Sequence, residues 1–254
     1  VMAYPFLWMV GTGFATLNEA VRPSLNPWPA SWQWRNYTAP FSDAPFLRYF
    51  LNSLFAGLAV TTATVCTALC AGYAFARLPF RGRGPLFALV LATLMVPFEL
   101  ALIPNFVTIS QLGWYDRYAA LIVPWCANAF AIFLVRQAFL ALPRDYFDAA
   151  ALDGCGHFSF LFTIGAPLVR PALITAALFA FLGSYNALLW PLIVTASEDM
   201  RVVQVGLMAY RGDAGVQVHQ LMAASAIVIA PGVLLYFAAQ RHLITGALGA
   251  GIKE

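Results

Sequence analysis

Charged residues are scarce in this chain. They make up 10% of its 254 residues, whereas 61% are hydrophobic. A soluble domain has about 25% charged and 45–50% apolar residues. One water-facing globule of this length cannot bury so many apolar side chains, which argues against a soluble enzyme and equally against a disordered chain. The apolar residues form blocks of about 20, the length that crosses a bilayer core. The composition therefore predicts a polytopic all-α membrane protein.

Several residue patterns that enzymes need are also missing. The only lysine is Lys253, so the chain has no P-loop with which to hold a nucleotide. Neither H-E-x-x-H nor G-x-S-x-G occurs, the four cysteines form no C-x-x-C pair, and the three histidines are far apart. The net charge of +3 includes no basic block. We therefore expect no catalytic residue, metal site, cofactor or nucleic-acid partner in this chain, and an intramembrane enzyme is disfavoured.

Six hydrophobic segments account for most of the length. They lie at about 1–17, 46–77, 85–109, 118–141, 171–195 and 219–243. The first residue already belongs to an apolar run, so we expect the native N-terminus to lie upstream. No cleavable signal peptide is visible. The pattern predicts six membrane spans in a single transmembrane domain covering residues 1–254.

Basic residues are distributed unequally between the two sets of loops. One set holds eight basic and four acidic residues, and the other holds six of each. The basic residues of the first set are Arg77, Arg81, Arg83, Arg136, Arg144, Arg170, Arg241 and Lys253. Because cytoplasmic loops are enriched in Lys and Arg, this set is expected in the cytoplasm, together with both termini. Loops 18–45 and 196–218 then face outward, and the former shows little helical pattern.

The cytoplasmic loop at about 142–170 has a pattern that a plain connection would not need. Asp145 and Asp148 precede a run of alanines, and acidic residues favour the first turn of a helix. Gly154 follows and predicts a stop, because glycine adopts the left-handed C-terminal conformation at low cost. Residues 157–164 can form a second helix, which Pro167 is expected to end. The loop therefore predicts a helix–turn–helix.

This loop resembles the E-A-A-x-x-x-G-x(9)-I-x-L-P loop of the permease subunits of ABC importers. The matching residues are Asp148, Ala149, Ala150, Gly154, Ile164 and Pro167. Asp148 stands where the motif has Glu, and Ala166 stands where it has Leu. The first change keeps the carboxylate at a shorter reach, and the second weakens one apolar contact.

Other stretches are similar to the maltose and glycerol-3-phosphate permease group, so the resemblance covers about 200 residues from Arg48 onward. These stretches are Asn52-Ser53, residues 71–77 (A-G-Y-A-F-A-R), residues 80–82, Ile103-Pro104, Leu112-Gly113, residues 183–186 (G-S-Y-N), Trp190-Pro191 and the tail 246–253. Tyr185 replaces the Trp of the group's fifth-span pattern. The chain is most similar to the smaller, six-span partner of such a pair.

The resemblance implies an ATP-driven importer in the bacterial cytoplasmic membrane. Such permeases work as two membrane subunits on two ATPase subunits, which bind ATP and Mg, and an extracytoplasmic solute-binding protein delivers the solute. The 142–170 loop would dock on the ATPase and transmit its closure to the spans. The residues expected to carry this coupling are Asp148, Ala149, Ala150, Asp153, Gly154, Ile164 and Pro167.

Polar residues inside spans are costly, and they usually face a cavity or a partner helix. The solute-path candidates are Asn52, Glu99, Asn105, Asn128, Tyr185 and Asn186. In a straight third span Glu99 would lie about 21 Å deep, at a rise of about 1.5 Å per residue. Its carboxylate suits either solute hydroxyls or an arginine of the partner subunit. The other candidates suit solute binding or hydrogen bonds between helices.

The solute class implied by the resemblance is a carbohydrate or a glycerol-phosphate-type compound. A phosphate would require buried Arg or Lys beside the path. None is evident in this subunit, but the partner subunit could supply one. The alternative function is a secondary transporter or channel without an ATPase. Such a protein would have no use for the 142–170 loop.

Overall fold

The structure is a computed structural model that describes residues 3–22, 26–212 and 215–249. Val1, Asp213 and Lys253, which entered the segment and charge assignments above, lie outside the described residues. The chain divides into two compact units. The first comprises Val1–Phe55 and Asn186–Leu235, and the second comprises Ala56–Tyr185 and Tyr236–Glu254. The single domain expected for residues 1–254 stays a prediction.

The described part of the chain is helical almost throughout. In chain order its helices are α1 (Tyr4–Gly13), α2 (Leu17–Ala20), α3 (Arg35–Asp43), α4 (Phe46–Arg77), α5 (Arg83–Ala92), α6 (Phe98–Gln111), α7 (Tyr118–Ile122), α8 (Ala129–Ala141), α9 (Asp145–Leu152), α10 (His157–Ser159), α11 (Ala166–Leu168), α12 (Arg170–Tyr185), α13 (Leu189–Val194), α14 (Val203–Leu207) and α15 (Val218–Gly249). Shorter 3-10 turns occupy Thr93–Met95, Val123–Trp125, Glu198–Met200 and Met208–Tyr210. The two-residue strands β1 (Arg211–Gly212) and β2 (Gly215–Val216) pair antiparallel. The predicted all-α class is confirmed.

Within the described residues, three helical stretches are long and apolar enough to cross a membrane: Phe46–Arg77, Tyr118–Ala141 and Val218–Gln240. They correspond to the second, fourth and sixth predicted segments. Two bent helix pairs bring the number of described candidates to five. The first segment is described as the ten-residue helix α1, which is shorter than a span. The count of six spans therefore stays a prediction.

The sequence predicted one continuous helix for the third segment, but the structure shows two. Arg83–Met95 and Phe98–Gln111 meet at an angle of 101°. Val96 and Pro97 are both extended at the junction, because a proline disfavours helical conformation in the residue before it. The depth expected for Glu99 assumed a straight helix. Glu99 instead lies in the first turn of α6, directly after the break.

The fourth span is also interrupted, between α7 and α8. The Thr64 hydroxyl of α4 donates to the carbonyl of Trp125 at 3.0 Å, and the Thr67 hydroxyl donates to the carbonyl of Cys126 at 2.7 Å. The Asn128 side chain caps α8 by accepting from the N–H of Ala131 at 3.0 Å. Non-helical backbone inside a membrane needs such partners. Two hydroxyls of α4 and the side chain of Asn128 thus provide hydrogen-bond partners for backbone groups at the break.

The loop 18–45 contains more helix than its sequence suggested. Asn36 of α3 is buried and donates to the carbonyls of Gly13 and Ala15 at 3.0 and 2.9 Å. The Tyr37 hydroxyl donates to the carbonyl of Val10 at 2.9 Å. These contacts stabilise a nine-residue helix even though Pro40 lies within it. The prediction of little helix was wrong here because long-range contacts outweigh local propensity.

Candidate functional site

The first arm of the candidate site is α9, which begins and ends as its sequence predicts. Asp145 and Asp148 lie in its first turn, where acidic groups complement the helix dipole. Gly154 has a φ of +74°, which is the left-handed conformation. The N–H of Cys155 bonds the carbonyl of Ala150 at 2.9 Å, and the N–H of Gly154 bonds that of Ala151 at 3.0 Å. This pair of bonds is the Schellman arrangement that closes a helix.

The second arm runs from His157 to Leu168 and is less regular than predicted. Its middle, Phe160–Gly165, is a π-helical stretch. The sequence suggested that Pro167 ends the arm, but it does not. It occupies the start of α11, where no N–H is required. The chain bends by 83° between this arm and α12, and Pro171 is the second residue of the new helix.

The second arm is fastened to α4 by Tyr73, a buried residue. The Tyr73 hydroxyl and Nδ1 of His157 share a hydrogen bond of 2.9 Å. The Tyr73 ring also lies 5.8 Å from the Phe160 ring and 5.4 Å from the Phe139 ring of α8. Phe160, Phe139 and Ala150 belong to one buried apolar cluster with Tyr73. Both arms therefore share a core with two membrane helices.

Arg77, the last residue of α4, fastens the first arm. Its Nη2 donates to the carbonyls of Phe139 and Leu142 at 2.7 and 2.6 Å. Those carbonyls lie at the end of α8, whose last carbonyls lack helical partners. The guanidinium also lies 4.0 Å from the centre of the Phe147 ring of α9, a cation–π contact. Arg77 thus joins the ends of two membrane helices to the loop.

The predicted coupling residues are distributed between two faces of this loop. Asp148, Ala149, Asp153 and Gly154 are exposed around the turn and the first arm. Exposed Leu152 and Phe158, at 89% and 77%, extend the same surface with large apolar side chains. Ala150 is buried in the cluster, Ile164 is half-buried against it, and Pro167 is exposed. The loop therefore presents an exposed surface on a rigid support.

Three solute-path candidates lie in the second unit beside the two helix breaks. The Phe98 and Trp125 rings are 5.0 Å apart, so the break before α6 lies next to the break before α8. Glu99 and Asn128 are exposed at the starts of those helices. Asn105 is half-buried one residue after Pro104 within α6. Secondary transporters form substrate sites at the half-helix ends of broken spans, so the three residues stay candidates for the solute path.

The remaining candidates have structural surroundings of their own. Asn52 is buried, and its amide donates to the carbonyls of Asp199 and Arg201 at 2.8 and 2.9 Å. Tyr185 is 2% exposed and stacks on Phe181 at 5.3 Å. Exposed Asn186 accepts a bond of 3.3 Å from Gln204. Asn52 and Tyr185 thus serve packing in this conformation, whereas Asn186 is accessible.

Sequence reasoning missed the residues that hold the loop in place. Tyr73 and Arg77 belong to the A-G-Y-A-F-A-R string that supported the family resemblance, yet neither was named as part of the site. His157 was expected only as the first residue of the second predicted helix, and not as a partner of Tyr73. An arginine at the last residue of a span is a usable signal, since it can donate to free helix-end carbonyls.

The fold defines a class of protein. The structure of a bacterial ABC transporter that imports the acidic polysaccharide alginate contains a chain similar to this one. The TM-score is 0.83 at 20% sequence identity, over 94% of this chain and 90% of that chain. At that identity the likeness establishes the fold alone.

The sequence comparisons establish the family. Residues 64–247 match the model of the binding-protein-dependent transport system inner membrane component, and the chain belongs to this family. It is a carbohydrate-uptake type of ABC-importer permease subunit, embedded in the membrane. A secondary transporter or channel is therefore not supported.

Two relatives show how far the similarity extends. The arabinooligosaccharides transport system permease protein AraQ of Bacillus subtilis (strain 168) is 35% identical, over 98% of this chain and 90% of AraQ. The sn-glycerol-3-phosphate transport system permease protein UgpE of Pectobacterium atrosepticum is 30% identical, over 97% of this chain and 91% of UgpE. The resemblance seen in the sequence is confirmed along nearly its whole length.

Proposed function

We propose that this chain forms half of the translocation path of an ATP-driven importer and that its 142–170 loop couples the path to a separate ATPase. The observation that carries the proposal is the exposed turn of α9, held rigidly on α4 and α8 by Tyr73 and Arg77. A push on this turn would move both membrane helices because all three share one core. The coupling residues are those named from the sequence.

The proposed assembly has five further components. They are a second permease subunit, two ATPase subunits that bind ATP and Mg, an extracytoplasmic solute-binding protein and the surrounding lipid. The loop and both termini face the cytoplasm in this proposal. Support for this orientation comes from the larger number of Lys and Arg residues on that side and from the family, whose members work with a binding protein.

The proposed solute is a neutral carbohydrate rather than a phosphorylated one. Arg136 lies within α8, and its side chain is already engaged. Its Nε donates to the carbonyl of Phe75 at 3.2 Å, and its guanidinium lies 4.1 Å from the Phe87 ring. The exposed carboxylate of Glu99 would repel a phosphate and accept hydrogen bonds from hydroxyls. The arabinooligosaccharide relative agrees with this assignment.

The coupling proposal is tested by charge reversal at matched positions of α9. Asp148→Lys and Asp145→Lys each change one exposed carboxylate in the first turn. In the reconstituted complex we expect Asp148→Lys to abolish ATP-driven uptake while the subunit still inserts. Asp145→Lys should retain uptake. Equal uptake in both variants would contradict the assignment of Asp148.

The solute assignment has its own test. Glu99→Gln keeps the size of the side chain and removes its charge. If Glu99 contacts the solute, uptake should fall while the complex still assembles. A fall in assembly or thermal stability with normal uptake per complex would instead show that Glu99 pairs with a neighbouring helix.

A further inference from the structure

A cavity of about 400 Å³ lies between the end of α4 and the first arm of the coupling loop. Its charged lining consists of Arg77, Arg83, Arg144 and Asp148, with His157 beside them. Three guanidinium groups therefore face one carboxylate. Such an excess of positive charge attracts anions.

The arginines retain donors that no described residue uses. Nη2 of Arg77 donates to two carbonyls, and Nε of Arg77 is buried without a hydrogen-bond partner. The Arg144 side chain is exposed, and its guanidinium makes no hydrogen bond or ion pair with any residue that the structure describes. Arg83 makes one long bond of 3.4 Å to the carbonyl of Leu78. The arginines that line the cavity thus retain several N–H donors without a partner, on the planar guanidinium group that binds phosphate.

The cavity also borders an exposed apolar side chain near the ends of two membrane helices. Arg77 ends the membrane helix α4, and Leu140, which lines the cavity in the last turn of α8, is 42% exposed. A ligand here would have its charged group among arginines and an apolar part beside Leu140. Basic pockets between membrane helices at the cytoplasmic surface bind anionic headgroups in this way.

We propose that this cavity binds a phosphate group and that an anionic phospholipid of the cytoplasmic leaflet supplies it. The proposal rests on the cytoplasmic orientation of the loop given above. Because Asp148 and His157 line the same cavity, the bound headgroup would contact the coupling loop from behind. The lipid would then stabilise the position from which the loop meets the ATPase.

The test uses the complete transporter in nanodiscs of phosphatidylcholine alone, or with added phosphatidylglycerol. A further sample in phosphatidylcholine receives inorganic phosphate. The variants are the double substitution Arg83→Gln with Arg144→Gln, and the control Arg81→Gln. Arg81 is an exposed neighbour that does not line this cavity. The readouts are the melting temperature and the number of phosphatidylglycerol molecules retained in native mass spectra.

We expect phosphatidylglycerol to raise the melting temperature of the wild-type complex and of Arg81→Gln. In the double variant its apparent affinity should fall about tenfold or more, since each arginine contributes a charge-assisted contact. An equal loss in Arg81→Gln would show diffuse surface attraction and contradict the site. An equal gain from inorganic phosphate would keep the phosphate site but overturn the lipid as its source.

Two further results would overturn the proposal. If phosphatidylglycerol and phosphate both leave the wild-type complex unchanged, the cavity binds neither. If the double variant loses its ATPase subunits in phosphatidylcholine alone, the arginines serve the protein interface instead. The stimulated ATPase activity of the wild-type complex in phosphatidylcholine tests the proposed function separately, because it needs no anionic lipid.

Discussion

Arg77 shows how much of the site depends on the geometry of a single side chain. Its guanidinium donates to two carbonyls at the end of α8 and also lies over the ring of Phe147. A lysine at this position would keep the charge but would lose the planar fork and its multiple N–H groups. The role is therefore one of shape as well as charge.

Arg77→Lys should destabilise the assembled transporter by about 2 kcal/mol, since bonds from a charged donor are worth about 1.5–3 kcal/mol. The measurement is the melting temperature of the reconstituted complex. Arg81→Lys, an exposed change in the following turn, is the control and should be neutral. An unchanged melting temperature for Arg77→Lys would contradict the role assigned to Arg77.

At the residue scale, prediction from the sequence succeeded where the cause was local. Gly154 was predicted as left-handed from its place after a run of helix formers, and its φ confirms this. The tasks of Asn52 and Tyr73 could not be predicted, because their partners lie 147 and 84 residues away in the chain. Only the folded structure brings such groups together.

At the scale of elements, the turn between the two arms depends on one backbone conformation. A Cβ at Gly154 or at Gly156 would meet no atom within 4 Å, so neither position is sterically crowded. They differ in φ, which is +74° at Gly154 and −72° at Gly156. Alanine substitutions at the two glycines therefore test the effect of backbone strain without any change in steric contact.

Gly154→Ala should cost about 1 kcal/mol, because a side chain in the left-handed region is strained. Gly156→Ala should cost little. Coupling should follow the same order, measured as solute transported per ATP hydrolysed. If Gly156→Ala proved as harmful as Gly154→Ala, the left-handed turn would not be the cause.

The break in the fourth span makes a second prediction about elements. Thr64→Val and Thr67→Val remove the hydroxyls that satisfy the carbonyls of Trp125 and Cys126. Each should lower stability by about 0.6 kcal/mol, the average for such bonds in membranes. Thr62→Val is the control, because the one bond of its hydroxyl to the described residues is to Leu58 of its own helix. Equal losses in all three variants would count against this support of the break.

The elements also show where sequence reasoning ended. Hydropathy located the helices well, since α4 matches its predicted segment, but it carries no information on bends. Whether a proline bends the chain depends on the contacts made in the folded protein. Examples are the 101° bend at Val96 and Pro97 and the 83° bend before Arg170. The length of an apolar run alone does not distinguish a straight span from a broken one.

For the whole molecule, the account requires that energy come from another chain. The only lysine, Lys253, cannot form a P-loop, so the purified subunit should hydrolyse no ATP. Hydrolysis that persists after every ATPase chain has been removed would contradict this view.

The central claim is that the exposed turn of the 142–170 loop contacts the ATPase, and a photo-crosslinker tests it most directly. A benzophenone side chain would replace Leu152, which is 89% exposed beside the turn, or Leu89 of α5, which is 64% exposed on a membrane helix. In the complete transporter the account predicts a crosslink to the ATPase subunit from position 152 and none from position 89. A transporter that remains active yet gives no ATPase crosslink from position 152 would contradict it.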